Sequence, residues 1–151
     1  DLDPDIFQKV VDIKITGTYL CTKAFVQVLK DQGHGGKIVN ISSSAGKRGS
    51  PNTLAYNAGN FALVGMTQSM SRELGPMGIN VNCVCPGAVD THRMDDLGRG
   101  DRWEQMATTT PIGRNGTDDE VGEFVVYLCT EAASWIHGQS ININGGTMVE
   151  H

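Results

Sequence analysis

Three short runs rich in apolar and β-branched residues, Lys37 to Ser42, Ile79 to Cys85 and Ser140 to Ile143, are separated by stretches of helical periodicity. The runs do not alternate cleanly between polar and apolar, so each strand must be covered on both faces. Helices alternating with such strands build a parallel α/β sheet rather than a bundle or an all-β fold. Asp3-Pro4-Asp5 opens the first helix, which places Ile6, Val10, Ile13, Gly17, Leu20, Ala24 and Val28 at spacings of three and four. This pattern predicts one helix of about six turns, stopped by Gly33, Gly35 and Gly36. After a loop from Ser43 to Asn52, a second helix begins near Thr53 and keeps Ala55, Ala58, Ala62, Met66, Met70 and Leu74 near one face. Its interior Gly59 and Gly65 lower helix propensity and point to close packing. Asp118 or Asp119 is expected to cap a helix from Glu120 to about Cys129, with Val121, Phe124, Val125 and Leu128 as its buried stripe. Ala132 to Gly138 then turns the chain. The stretch 90–111 lacks a clear period and is expected to form a lid containing short helices.

A chain of 151 residues buries one moderate core and reads as one domain. Its 12 basic and 17 acidic side chains give a formal charge of −5, which argues against a nucleic-acid partner. No apolar run is long enough for a membrane span, and Asp1-Leu2-Asp3-Pro4-Asp5 lacks the features of a signal peptide. A cytoplasmic setting is expected. Cys21, Cys83, Cys85 and Cys129 have neither zinc spacing nor a disulfide framework, so buried free thiols are expected. His92 belongs to no cluster that would bind metal, and no metal site is expected.

Four motifs resemble the catalytic and C-terminal part of the short-chain dehydrogenase/reductase family. They are Ile38-Val39-Asn40-Ile41-Ser42-Ser43-Ser44-Ala45-Gly46, Tyr56-Asn57-Ala58-Gly59-Asn60, Asn82-Cys83-Val84-Cys85-Pro86-Gly87 and Ile141-Asn142-Ile143-Asn144-Gly145-Gly146. Tyr56 follows Ser43 by thirteen residues. The resemblance implies a Rossmann-like, doubly wound parallel sheet. No Gly-rich phosphate turn or earlier strand with a ribose-binding acid precedes these motifs, so the N-terminal nucleotide-binding half is expected to be missing from this chain. Residues 1–151 then form a partial domain with an open sheet edge and an uncovered apolar face, and are not expected to fold alone.

The implied activity is interconversion of an alcohol or hydroxy compound and its ketone with NAD or NADP. Such chemistry moves a proton to or from the substrate oxygen, and an unperturbed phenol, titrating near 10, is a poor base at neutral pH. By resemblance Tyr56 is the acid/base and Ser43 holds the substrate oxygen. The choice of Ser43 over Ser42 and Ser44 rests on the family pattern alone. Two positions depart from that pattern: Asn60 stands where the family places its catalytic Lys, and Lys14 where it usually places an Asn. Those family positions lie near one another, so an exchange of the two would return the ammonium from the opposite helix. Lys14 is expected to supply the field that favours the Tyr56 phenolate, and Asn60 to orient ribose or water. Pro86, Gly87, Val89 and Thr91 match the loop beside nicotinamide, with the Val89 backbone facing the carboxamide and Thr91 bonding the carboxamide or diphosphate. Pro-Gly beyond a buried strand independently predicts a rigid turn into a crevice.

Ala45 and Lys47 are expected to shape the substrate pocket together with the lid. Met94, Leu97 and Trp103 supply either an apolar wall or core anchors. Arg93, Arg99 and Arg102 have Asp95, Asp96 and Asp101 as neighbours, so local ion pairs are expected rather than a carboxylate site. Phe7, Val11, Phe25, Phe61 and Val64 exceed what one sheet face needs. The family commonly pairs these two helices across a two-fold axis, which implies a homotetramer or a homodimer. Two other accounts remain: a noncatalytic nucleotide-binding or oligomer scaffold, favoured by Asn60, and a structural fragment without its own ligand.

Overall fold

The computed structural model describes residues 2–91 and 100–149. The chain opens with α1 (Pro4–Val11), capped by the Asp3 side chain, which accepts from Asp5 N at 2.9 Å, with Pro4 at the first turn. The expected single first helix is interrupted. Asp12–Thr16 forms a π-helical turn before α2 (Gly17–Gln32) resumes, and Lys14 lies inside it. The three–four apolar pattern runs through this widened turn, so the periodicity does not reveal it. Gly33 closes α2 in the left-handed conformation, φ 70°.

Strand β1 (Gly36–Ile41) leads through a short 3₁₀ turn (Ser44–Gly46) to α3 (Leu54–Leu74). Next come β2 (Ile79–Pro86), β3 (Val89–Asp90), α4 (Gly100–Thr109), β4 (Gly116–Thr117), α5 (Asp118–Leu128) and β5 (Ser140–Ile143). The main sheet has the order β1-β2-β5 and is parallel, with Ile41 opposite Val84 and Pro86 opposite Ile143. A second, two-stranded parallel ladder pairs β3 with β4.

Because side chains alternate along a strand, Val81 and Val84 point to opposite faces of β2, and each face has its own core. On one, Val26, Leu29, Ile79 and Val81 pack with Ile38, Met70, Leu74 and Met77. On the other, Val84, Leu128 and Ala133 pack with Val39, Phe124, Val125 and Ile141. The α5 cap is Thr117 rather than Asp118 or Asp119. Its hydroxyl accepts from Glu120 N at 3.2 Å, and Glu120 accepts from Thr117 N at 2.9 Å, a complete capping box.

Cys83 and Cys85 are buried and form no disulfide, whereas Cys21 and Cys129 are exposed. His92, Arg93, Met94, Asp95, Asp96, Leu97 and Arg99, and the side chain of Arg102, lie outside the described residues. No helix among the described residues is long and apolar enough to cross a membrane.

Candidate active site

Ser43 lies just beyond the carboxyl end of β1, in extended conformation at φ −161°, and Gly87 just beyond that of β2. Since the strands are parallel, both emerge at the same edge of the sheet, where α/β proteins bind ligands. The three neighbouring serines have different tasks. Ser42 is buried and donates to the Asn60 carbonyl at 2.9 Å, while Ser44 donates to the Pro86 carbonyl at 3.1 Å. Ser43 Oγ accepts from Ala45 N at 3.2 Å, so among the three it is the hydroxyl whose proton is not committed to a backbone carbonyl.

Tyr56 lies in the first turn of α3 with its side chain half exposed, at 49%. The loop that separates it from Ser43 is pinned by Asn57. Its Nδ2 donates to the Arg48 carbonyl at 2.9 Å and its Oδ1 accepts from Thr53 Oγ1 at 2.6 Å. Sequence reasoning gave Ser42, Thr53 and Asn57 no hydrogen-bonding role. The signal available for them was polar residues falling where a helix start must be both buried and capped.

Lys14 and Asn60, 46 residues apart in sequence, meet: Lys14 Nζ donates to Asn60 Oδ1 at 3.3 Å. Asn60 Nδ2 donates to the Tyr56 carbonyl at 2.8 Å. Asn60 is completely buried, so both ends of its amide are held inside the protein and its side chain has no surface to offer a ribose. Asn60, expected to orient ribose or water, bonds Lys14 and the Tyr56 carbonyl in the structure. Gly59 permits the close approach of the π turn. A Cβ there would lie 3.0 Å from Val10 Cγ1 and 3.1 Å from Lys14 Cβ. Burial lowers the Lys14 pKa, and a Cys83 thiolate would oppose that shift. Cys83, however, is pushed far up, first by its hydrogen bond with Cys85 and then by burial, so at neutral pH it is a thiol and offers Lys14 no counter-charge.

Pro86 ends β2, and Gly87 N donates to the Ile143 carbonyl at 2.8 Å. A Cβ on Gly87 would fall 2.8 Å from Asn144 Cβ, so only glycine fits this crossing. Val89 enters β3, where its carbonyl accepts from Trp103 Nε1 at 3.2 Å; Thr91 follows, half-buried. Lys47 Nζ donates to the Ser140 carbonyl at 2.6 Å. The described residues contain no group of three or more His, Cys, Asp or Glu able to hold a metal.

A family profile described as enoyl-(acyl carrier protein) reductase matches residues 1–148. A curated short-chain dehydrogenase/reductase of Armillaria gallica is 33% identical over 156 residues, covering 99% of this chain and 60% of that protein. The chain belongs to the short-chain dehydrogenase/reductase family. A 3-oxoacyl-[acyl-carrier-protein] reductase of a Synechocystis species is 35% identical over 144 residues, covering 95% of this short-chain dehydrogenase/reductase and 56% of the relative. The structure of a 4-hydroxyisoleucine dehydrogenase complexed with NADH superposes with a TM-score of 0.91 at 26% identity, covering 99% of this chain and 62% of that one. This short-chain dehydrogenase/reductase sequence thus spans little more than half the length of the curated relatives it matches.

Proposed function

We propose that the protein is an NAD(P)-dependent oxidoreductase that interconverts an alcohol or hydroxy compound and its ketone, with Tyr56 as acid/base, Ser43 holding the substrate oxygen and Lys14 supplying the positive charge. The observation that carries this reading is the hydrogen bond from Lys14 Nζ to Asn60 Oδ1, with Asn60 in turn bonded to the Tyr56 carbonyl. It puts an ammonium beside the residue that occupies the family's lysine position. The bound nicotinamide supplies or accepts the hydride.

In the oxidative direction, the Tyr56 phenolate takes the hydroxyl proton as the hydride leaves the carbinol carbon, and a carbonyl forms. In reduction, the phenol returns that proton to the oxygen. In this reading Asn60 acts as the positioning residue for the Lys14 ammonium, which donates to its Oδ1. Ser43 donates its free proton to the substrate oxygen and orients it. In this reading Gly87, Val89 and Thr91 run along the nicotinamide end of the cofactor, where Gly87 crosses Asn144 with no room for a side chain and Val89 enters β3 beyond it. Thr91 bonding the carboxamide or diphosphate is part of the same proposal.

A second reading is favoured by the burial of Asn60, which gives the cofactor no charge from the family's usual position. In it, the protein binds nucleotide or serves in an assembly without turnover. The near-ultraviolet absorbance of reduced nicotinamide decides between them, using the full protein with NAD and NADP against an alcohol panel. Turnover is expected, with Tyr56→Phe lowering kcat by about a hundredfold or more. Cofactor binding without turnover, or full activity in Tyr56→Phe, would overturn the catalytic reading.

A further inference from the structure

Asn115 lies on the chain just before β4 and is 7% exposed. Its Nδ2 donates to two acceptors, Asp90 Oδ1 at 2.9 Å and the Trp103 carbonyl at 3.1 Å. Trp103 returns a bond through Nε1 to the Val89 carbonyl at 3.2 Å. Two side chains therefore tie the first turn of α4 to the consecutive residues of β3. The tie has a fixed base. Gly116 N donates to the Ala88 carbonyl at 2.9 Å, and the Asn115 carbonyl accepts from Arg114 Nη1 at 3.0 Å. Arg114 also grips Glu120 of the α5 capping box through both guanidinium nitrogens, at 2.8 and 2.6 Å.

The orientation of Asn115 is set by chemistry. A carboxylate oxygen and a backbone carbonyl only accept, so the amide must present its NH₂ end to them. Its Oδ1 is left buried with no donor among the described residues, an arrangement that costs stability and that only the donor end rewards. A side chain chosen for packing alone would carry no such penalty.

We propose that Asn115 and Trp103 form a latch in which Asn115 is a positioning residue: by holding α4 to Val89 and Asp90, it fixes the backbone that faces nicotinamide. The inference rests on the reading that Val89 to Thr91 lie beside the cofactor. Asn115→Asp keeps the size of the side chain and replaces its donor with a carboxylate facing Asp90 and the Trp103 carbonyl. The sequence holds two tryptophans, and Trp135 is fully exposed, so Trp135→Phe leaves Trp103 as the sole reporter.

In that background, Asn115→Asp should speed amide hydrogen exchange within α4 and raise the dissociation constant of NAD or NADP, read from Trp103 emission, each by about tenfold. Trp103→Phe, which removes only the Nε1 donor from this tie, should speed α4 exchange in the same direction and keeps the test open if Asn115→Asp fails to fold. Unchanged exchange in α4 overturns the latch whatever the cofactor does. Faster exchange with an unchanged dissociation constant reduces Asn115 to a structural role and overturns the positioning claim. A parent that binds cofactor without turnover defeats the catalytic reading alone, and the two readouts still decide the latch. A parent that binds no cofactor overturns both.

Discussion

Lys14 is where stability and function pull apart. Its ammonium is half-buried, its pKa is lowered by burial, and the nearby Cys83 stays protonated. A lysine whose folded pKa lies below the ordinary 10.5 binds fewer protons folded than unfolded between those two values. Stability therefore rises with pH across that window, and below it the full penalty of burying the charge is present. Lys14→Met removes the charge and keeps most of the stem. The variant should melt at or above the parent at neutral pH, and this advantage should shrink as pH climbs toward 10.5. The same variant should lose about a hundredfold or more in kcat. Thermal melts across pH and steady-state rates check both parts. A Lys14→Met protein of near-normal activity would leave the ammonium as a structural detail.

At the scale of the elements, α3 concentrates what the sequence shows and what it hides. Its limits were legible from Thr53 and from Gly75-Pro76, as were the three strands of the main sheet, because apolar residues covered on both faces leave a continuous run; the short β3 and β4 were not. The meeting of Lys14 with Asn60 was legible only as an exchange between two family positions; the spacing of either residue says nothing of it. The buried stripe of α3 was not legible in full, because it includes Asn57, Asn60, Thr67 and Ser71, polar side chains that a hydrophobic pattern discards. Thr67 Oγ1, for instance, accepts from Asn40 Nδ2 of β1 at 2.8 Å, a partner invisible from α3 alone. Nor do the two interior glycines have the same role. A Cβ on Gly59 would press on Val10 and Lys14, whereas one on Gly65 meets nothing within 4 Å. Gly65→Ala should accordingly stabilise the protein by about 1 kcal/mol through helix propensity. Gly59→Ala gains the same propensity but incurs overpacking of about 1–3 kcal/mol, and should destabilise while displacing Lys14 and lowering kcat. Denaturant titrations of the two variants test the contrast; equal shifts of the same sign would mean that the π turn yields freely to a methyl group.

For the whole molecule, the apolar residues in excess of the core divide into two groups. Phe25 lines a groove of about 510 Å³ with Ile13, Cys21, Lys37, Ile38 and Asn40, beside strand β1 at one end of the described sheet. Phe25 on α2 is thus set apart from the remaining apolar residues by the groove it lines. Phe7, Val11 and Val64 are half-buried, whereas Phe61 on α3, with Tyr19 and Leu20 on α2, is exposed at 46%, 53% and 55%. Isologous pairing of such helices would bury these residues against a second copy, consistent with the proposed homodimer or homotetramer. Phe61→Arg introduces a charge that a two-fold contact would bring toward its own copy, a repulsion felt twice per interface. Light scattering of the full protein should then show a shift to a smaller species without loss of the α/β circular dichroism signal. An unchanged mass would exclude Phe61 from the contact and move the search for an interface to the exposed Val126, Tyr127 and Trp135.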